Sequence, residues 1–213
     1  MRFFSYDNWL NRTLRTIADC MLLSLLWGIT SIPLFTVGAS TTALYYAVYQ
    51  AIRQEEGGIW KTYWKSFRTN FKQSTLLWLV LAVIYIVLLL SCYSAYLLYT
   101  AEVLSAFLFW TVIVILAVFT MWVNYLFPYI ARFRDTTRKT LSNCAWICLL
   151  NPIWSILLLA LLAGALYLLV FVPMGFVFAP AAYMLIAGYL FEFVFKKYLP
   201  SDEIASQSEN LKS

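Results

Sequence analysis

The sequence predicts an all-α, polytopic helical membrane protein with about six transmembrane helices and amphipathic helices on its cytoplasmic side. Three observations predict it. First, 63% of the 213 residues are hydrophobic and only 12% are charged. A soluble domain carries about 25% charged residues, so these charges cannot cover a water-soluble globule. Second, residues 75–98, 103–130 and 145–191 contain no charge. A helix needs about 20 apolar residues to cross the hydrocarbon, and the runs are continuous where a membrane β-barrel would alternate. Third, the basic residues fall into four groups, Arg2 to Arg15, Arg53 to Lys72, Arg132 to Lys139 and Lys196 to Lys212. The positive-inside rule puts all four on the cytoplasmic side, so an even number of crossings separates neighbouring groups.

The expected organisation is one membrane domain, 1–199, with spans at about 17–34, 39–54, 75–98, 103–130, 152–172 and 175–195. Residues 200–213 read as a disordered cytoplasmic tail, for lack of apolar surface to bury. Both termini are then cytoplasmic, in a multi-pass protein.

The stretch YDNWLNRTLRTIADC reads as a helix on the inner surface that dives into the first span. The first two spans are joined through TSIPLFTVGAS, which is expected to be an outer turn. Pro33 lacks a backbone donor and disfavours helix interiors, and Gly38 reaches backbone angles closed to other residues. Val37-Gly38-Ala39 also has the small residues of a signal-peptide cleavage site. The long, partly acidic segment before the apolar core argues against that reading. The second arm is short and rich in Ser and Thr, whose side chains bond neighbouring helices in membranes. It is therefore expected inside the bundle, away from lipid.

Residues 57–73 (GGIWKTYWKSFRTNFKQ) set Trp60, Tyr63, Trp64, Phe67 and Phe71 on one helical face and Lys61, Lys65, Arg68 and Lys72 on another. This is the pattern of a basic amphipathic helix lying in the headgroup plane, separate from the span that follows. Trp60, Lys61, Trp64, Lys65 and Arg68 are its expected interfacial anchor, or a docking surface for a partner. Thr136 to Leu150 reads as a second such element. It ends at Asn151-Pro152, where asparagine suits an N-cap and proline the first helical position.

The catalytic inventory is sparse. Histidine is absent, which removes His-based triads and HExxH zinc sites. Four cysteines, with Cys144 and Cys148 one turn apart, do not complete a zinc site and read as small apolar side chains. Intramembrane ionisable residues are costly and mark candidate sites. Asp19 is the first such candidate, with Arg15 four residues earlier as its expected partner. Glu192 is the second, with Lys196 four residues later. Pro128 frees the carbonyl of Asn124, and Pro180 that of Phe176. No enzyme activity, cofactor, metal or nucleic-acid partner is expected, and the lipid bilayer is.

From Asn8-Trp9 through LLWGITSIPLFTVGASTTALYYA to EEGGIWKTYWKSFRTNFKQS, the chain resembles the YesL-like family of bacterial membrane proteins, domain of unknown function 624. The resemblance rests on Pro33, Thr36, Gly38 and Ala39, then Thr42-Ala43-Leu44-Tyr45, then Asn70 to Gln73. It implies a Gram-positive-type source, the plasma membrane, and an accessory role beside a carbohydrate importer or a sensor kinase. It supplies no established activity and no site residues.

Two functions therefore stand. One is a non-enzymatic accessory component linked to carbohydrate uptake or its sensing. The other is a small transporter or channel, because a polar Pro/Gly break beside a short helix marks transporter binding sites. Asp19 would then couple the ion. In either case Pro33, Thr36, Gly38, Thr41 and Thr42 form the candidate motif, expected in a buried structural or binding role, with Thr36, Gly38, Thr41 and Thr42 turned to a cavity in the binding case.

Overall fold

A computed structural model describes residues 9–54, 58–102, 105–133, 135–172 and 175–198, with side chains from residue 13 onward. Its elements are helices only: α1 (Trp9–Ser31), a 3-10 turn (Leu34–Thr36), α2 (Val37–Ala47) continued by a π-helical turn (Val48–Arg53), α3 (Ile59–Thr100), α4 (Ala106–Arg132), α5 (Thr137–Leu150), α6 (Pro152–Phe171) and α7 (Gly175–Lys196). Five of them, α1, α3, α4, α6 and α7, are long and apolar enough to cross a membrane. The expected disordered tail lies outside the described residues.

The second arm, expected at about 39–54, differs from the other expected spans. That arm, Val37 through Arg53, does not count among the long apolar helices. As expected, it is packed inside, with Gly38, Ala39, Ser40, Thr42, Ala43, Leu44, Tyr45, Ala47 and Val48 buried. Small and hydroxyl side chains let it lie close to α3. A Cβ on Gly38 would stand 2.6 Å from the Ser74 carbonyl oxygen and 2.6 Å from Trp78 Cβ.

The hairpin turn also does not lie beside the turn that joins α3 to α4. The Trp78 indole donates to the Leu34 carbonyl at 2.8 Å, and Gly38 abuts Phe127 of α4. Trp78 lies about 33 Å before the end of α3, and Phe127 about 32 Å after the start of α4, at 1.5 Å per residue. The tip therefore meets the α3–α4 pair far from that pair's own turn. Around it Ile32 is 76% and Leu34 80% exposed, an apolar tip that suits lipid better than water.

A correction concerns residues 57–73. Within the described residues no break separates the amphipathic segment from the span after it, because α3 runs unbroken from Ile59 to Thr100. Gln73, Ser74 and Thr75 supply neither proline nor glycine to stop a helix. One face of the segment also turns inward, with Thr62, Tyr63 and Ser66 buried.

In α5, Thr140, Cys144, Ile147 and Cys148 form the buried stripe, at the spacing of an amphipathic helix. Helix α6 begins at Pro152, as expected. Asn151, however, makes no N-cap bond. Its amide donates to the Ile147 carbonyl and the Tyr198 hydroxyl, both at 2.9 Å, so its side chain closes α5, while its backbone carbonyl opens α6 by accepting the Ser155 N–H at 3.0 Å.

Candidate functional site

Two polar systems run through the apolar bundle. The first is a seam that closes the hairpin. Breaking the helix at Pro33 strips backbone carbonyls of their partners, and a carbonyl left unpaired in an apolar medium costs several kcal/mol. Thr30 Oγ1 donates to the Leu26 carbonyl at 2.7 Å. Thr36 Oγ1 is shared between the Thr30 and Pro33 carbonyls. Ser40, Thr41 and Thr42 donate to the carbonyls of Thr36, Val37 and Gly38. Thr42 Oγ1, its proton so used, accepts from Ser74 at 3.0 Å. The seam thus ties α1, α2 and α3 together.

Of the two buried roles expected for Thr36, Gly38 and Thr42, this arrangement supports the structural one over a cavity wall. They are buried and close-packed, and their hydroxyls serve backbone carbonyls and Ser74. Pro33 is exposed. Thr41 reaches a cavity, a mostly apolar one of about 150 Å³ that it shares with Trp27, Leu162, Pro180 and Tyr183. Trp27 donates to Thr41 at 3.2 Å.

The second system is charged. Glu192 of α7 is 3% exposed. Its Oε1 accepts from the Tyr45 hydroxyl of α2 at 2.7 Å and lies 3.6 Å from Nε of Arg132, at the end of α4. This replaces the expected Lys196 pairing, and Lys196 is exposed. Arg53, swung round by the π-helical turn, donates to the Gly188 carbonyl at 2.8 Å and stacks 4.1 Å over the Tyr189 ring. Both guanidiniums approach Tyr49, Arg132 at 4.9 Å and Arg53 at 5.8 Å from the ring centroid. Arg132 Nε and Nη2 are buried and have no hydrogen-bond partner among the described residues.

Sequence reasoning missed this cluster because its members lie far apart in the chain. The one local signal was the π-helical turn, a feature common at functional sites and not visible in residue pattern. Asp19 lies elsewhere on α1, half-buried, in the field of Arg15 as expected. Asn124 joins α4 to α7 by accepting from the Tyr183 hydroxyl, and its amide approaches the Leu158 carbonyl of α6 at 3.5 Å. On α7, the Ala181 N–H, next to Pro180, donates to Ser24 of α1 at 3.2 Å.

Trp60, Lys61, Trp64, Lys65 and Arg68 come together, lining an open groove of about 530 Å³ on α3. Trp60 is exposed, and the Arg68 guanidinium lies 6.0 Å over the Trp64 ring. Tyr63, on the opposite side of the helix, roots the groove in the bundle through its hydroxyl, 2.6 Å from that of Thr30.

Residues 20–92 match the family described as Protein of unknown function, DUF624. That stretch covers most of α1, the hairpin and α3 as far as Cys92, so the seam and the groove both lie within it. No curated protein and no solved structure matches the chain.

Proposed function

We propose that this chain, which carries the DUF624 domain across its first hairpin and most of α3, is a non-enzymatic accessory protein of the bacterial plasma membrane. In this reading it serves a carbohydrate importer or its sensor, and both its termini are cytoplasmic. The observation that carries the reading is the groove on α3. Two indoles and three cations line it, while the seam behind it is spent on holding the hairpin shut. The family-matched segment thus pairs a rigid inner face with a chemically distinct outer one. Such a surface fits a partner that offers acidic side chains beside apolar ones, and charge complementarity of this kind governs encounter rate and choice of partner.

The test is site-specific photocrosslinking from Lys61 or Lys65 in native membranes, across growth sugars. The expected product joins this chain to an importer or sensor subunit. Recovery of the chain alone on every sugar, with the photoprobe shown to be reactive, would overturn the reading.

A second reading, a small transporter or channel, draws on the charges of Arg53, Arg132 and Glu192 inside the bundle, since charges there mark ion and substrate pathways. Purified protein in sealed vesicles would then accumulate a solute, and Asp19→Asn would abolish uptake if Asp19 is the coupling residue.

A further inference from the structure

We propose that the Nε–Nη2 edge of Arg132 forms one wall of a phosphate-binding site completed by the Arg53 guanidinium and the Tyr45 and Tyr49 rings. The two unpartnered nitrogens are not an arbitrary pair. Their N–H bonds run parallel along one edge of the guanidinium, the fork that grips two oxygens of a carboxylate or phosphate at once. Leaving such charged donors buried and unmet is costly. Glu192 does not meet them. Its Oε1 stands 3.6 Å from Nε, beyond hydrogen-bond length, and accepts from Tyr45 instead.

Charge points the same way. Among the described residues the cluster holds two guanidiniums against one carboxylate. The C-terminal ends of α4 and of the π-helical turn offset part of the excess through their dipoles, but they give the Arg132 edge no acceptor. A monoanion balances the cluster and fills the fork. Arg53, at the edge of the cluster, is half-buried and lies over the exposed ring of Tyr189. A phosphate could come from a lipid headgroup or from free inorganic phosphate, and both offer the same pair of oxygens.

The test uses the purified full chain in a non-ionic detergent. Thermal unfolding is followed while inorganic phosphate, and separately short-chain phosphatidylglycerol, is titrated at constant ionic strength against chloride. A ligand that binds only the folded state raises the unfolding temperature saturably. At least one probe should do so. Arg132→Lys keeps the charge but loses the fork, and should weaken that response at least ten-fold. Lys139→Gln, on the exposed side of α5, should leave it unchanged. A response to phosphatidylglycerol alone assigns the headgroup, and a response to inorganic phosphate assigns the free anion.

No saturable shift with either probe, or an Arg132→Lys response equal to that of the native chain, overturns the proposal. So does a response that appears only in the E55Q/E56Q variant, since carboxylates of this chain would then take the place of the anion. No partner protein enters the measurement, so its failure leaves the accessory reading standing, and the reverse also holds.

Discussion

The hydroxyl of Tyr63 lies 2.6 Å from that of Thr30. Positive-inside reasoning places these two residues on opposite faces of the membrane, one in an outer turn and the other in a cytoplasmic helix. The contact makes the hairpin tip and the base of α3 neighbours. Thr30 spends its proton on the Leu26 carbonyl, so Tyr63 donates. Tyr63→Phe should destabilise the folded chain by about 1 kcal/mol, the usual net worth of one hydrogen bond. A double-mutant cycle with Thr30→Val, read by unfolding in detergent, should give a coupling of about 0.6–1.7 kcal/mol, the range found between membrane helices. Zero coupling would remove the bond.

Gly38 admits no side chain. The Ser74 carbonyl that a Cβ would strike belongs to the α3 backbone and cannot rotate away. Gly38→Ala should cost about 1–3 kcal/mol as an overpacked contact, and Gly38→Val should prevent folding, visible as loss of monodisperse protein on size exclusion. Normal yield of Gly38→Val would mean that the hairpin is looser than its packing here.

Helix α3 should measure as one rod. Spin labels at the exposed positions Lys61 and Val83 would stand about 33 Å apart along a continuous helix. If the first half lay flat on the membrane and turned at Gln73, the distance would be about 23 Å. Electron–electron dipolar spectroscopy separates the two outcomes.

Removing the carboxylate of Glu192 leaves Arg132 buried without its nearest opposite charge. Glu192→Ala should therefore cost about 3–5 kcal/mol, as when one partner of a buried pair is deleted. Glu192→Gln keeps an acceptor for Tyr45 and should cost less. Equal stability of the two variants would show that shape, not charge, is what Glu192 contributes.

The thiols of α5 should be silent. Burial pushes both Cys144 and Cys148 above the ordinary thiol value, so the thiolate is scarcer at any given pH, and the thiolate is the species that reacts. Native protein at pH 8 should leave Cys144 unmodified by maleimide, whereas unfolding in dodecyl sulfate should expose both. Rapid native labelling of Cys144 would place α5 elsewhere.

The long apolar helices were legible because a lipid-facing helix must be apolar along its whole length, and charge-free runs such as 103–130 leave no other reading. The inward packing of α2 was legible too, since Ser40, Thr41 and Thr42 are out of place against hydrocarbon. The continuity of α3 was hidden. A change from amphipathic to wholly apolar at Ser74 looks like a boundary, although the backbone has no reason to break there. Asn151 misled for a related reason, because an asparagine between two helices can serve either one. At the charged cluster, local spacing offered Lys196 as the partner of Glu192, while the true neighbours come from α2 and α4. Such encounters are decided by how helices pack, which a single sequence does not record.

The π-helical turn from Val48 to Arg53 bears on how this chain tolerates gain and loss of residues. A turn of this kind holds one residue more than an α-helix needs over the same length, and here it closes with Gln54 N–H on the Tyr49 carbonyl. Losing one codon within it would restore a regular helix and leave α2 where it was. It would also turn Arg53 by about 100°, away from Gly188. A single-codon deletion here would thus leave an intact membrane protein with one arginine aimed elsewhere, whereas the same deletion inside α2 would drag Gly38 out of register with Ser74.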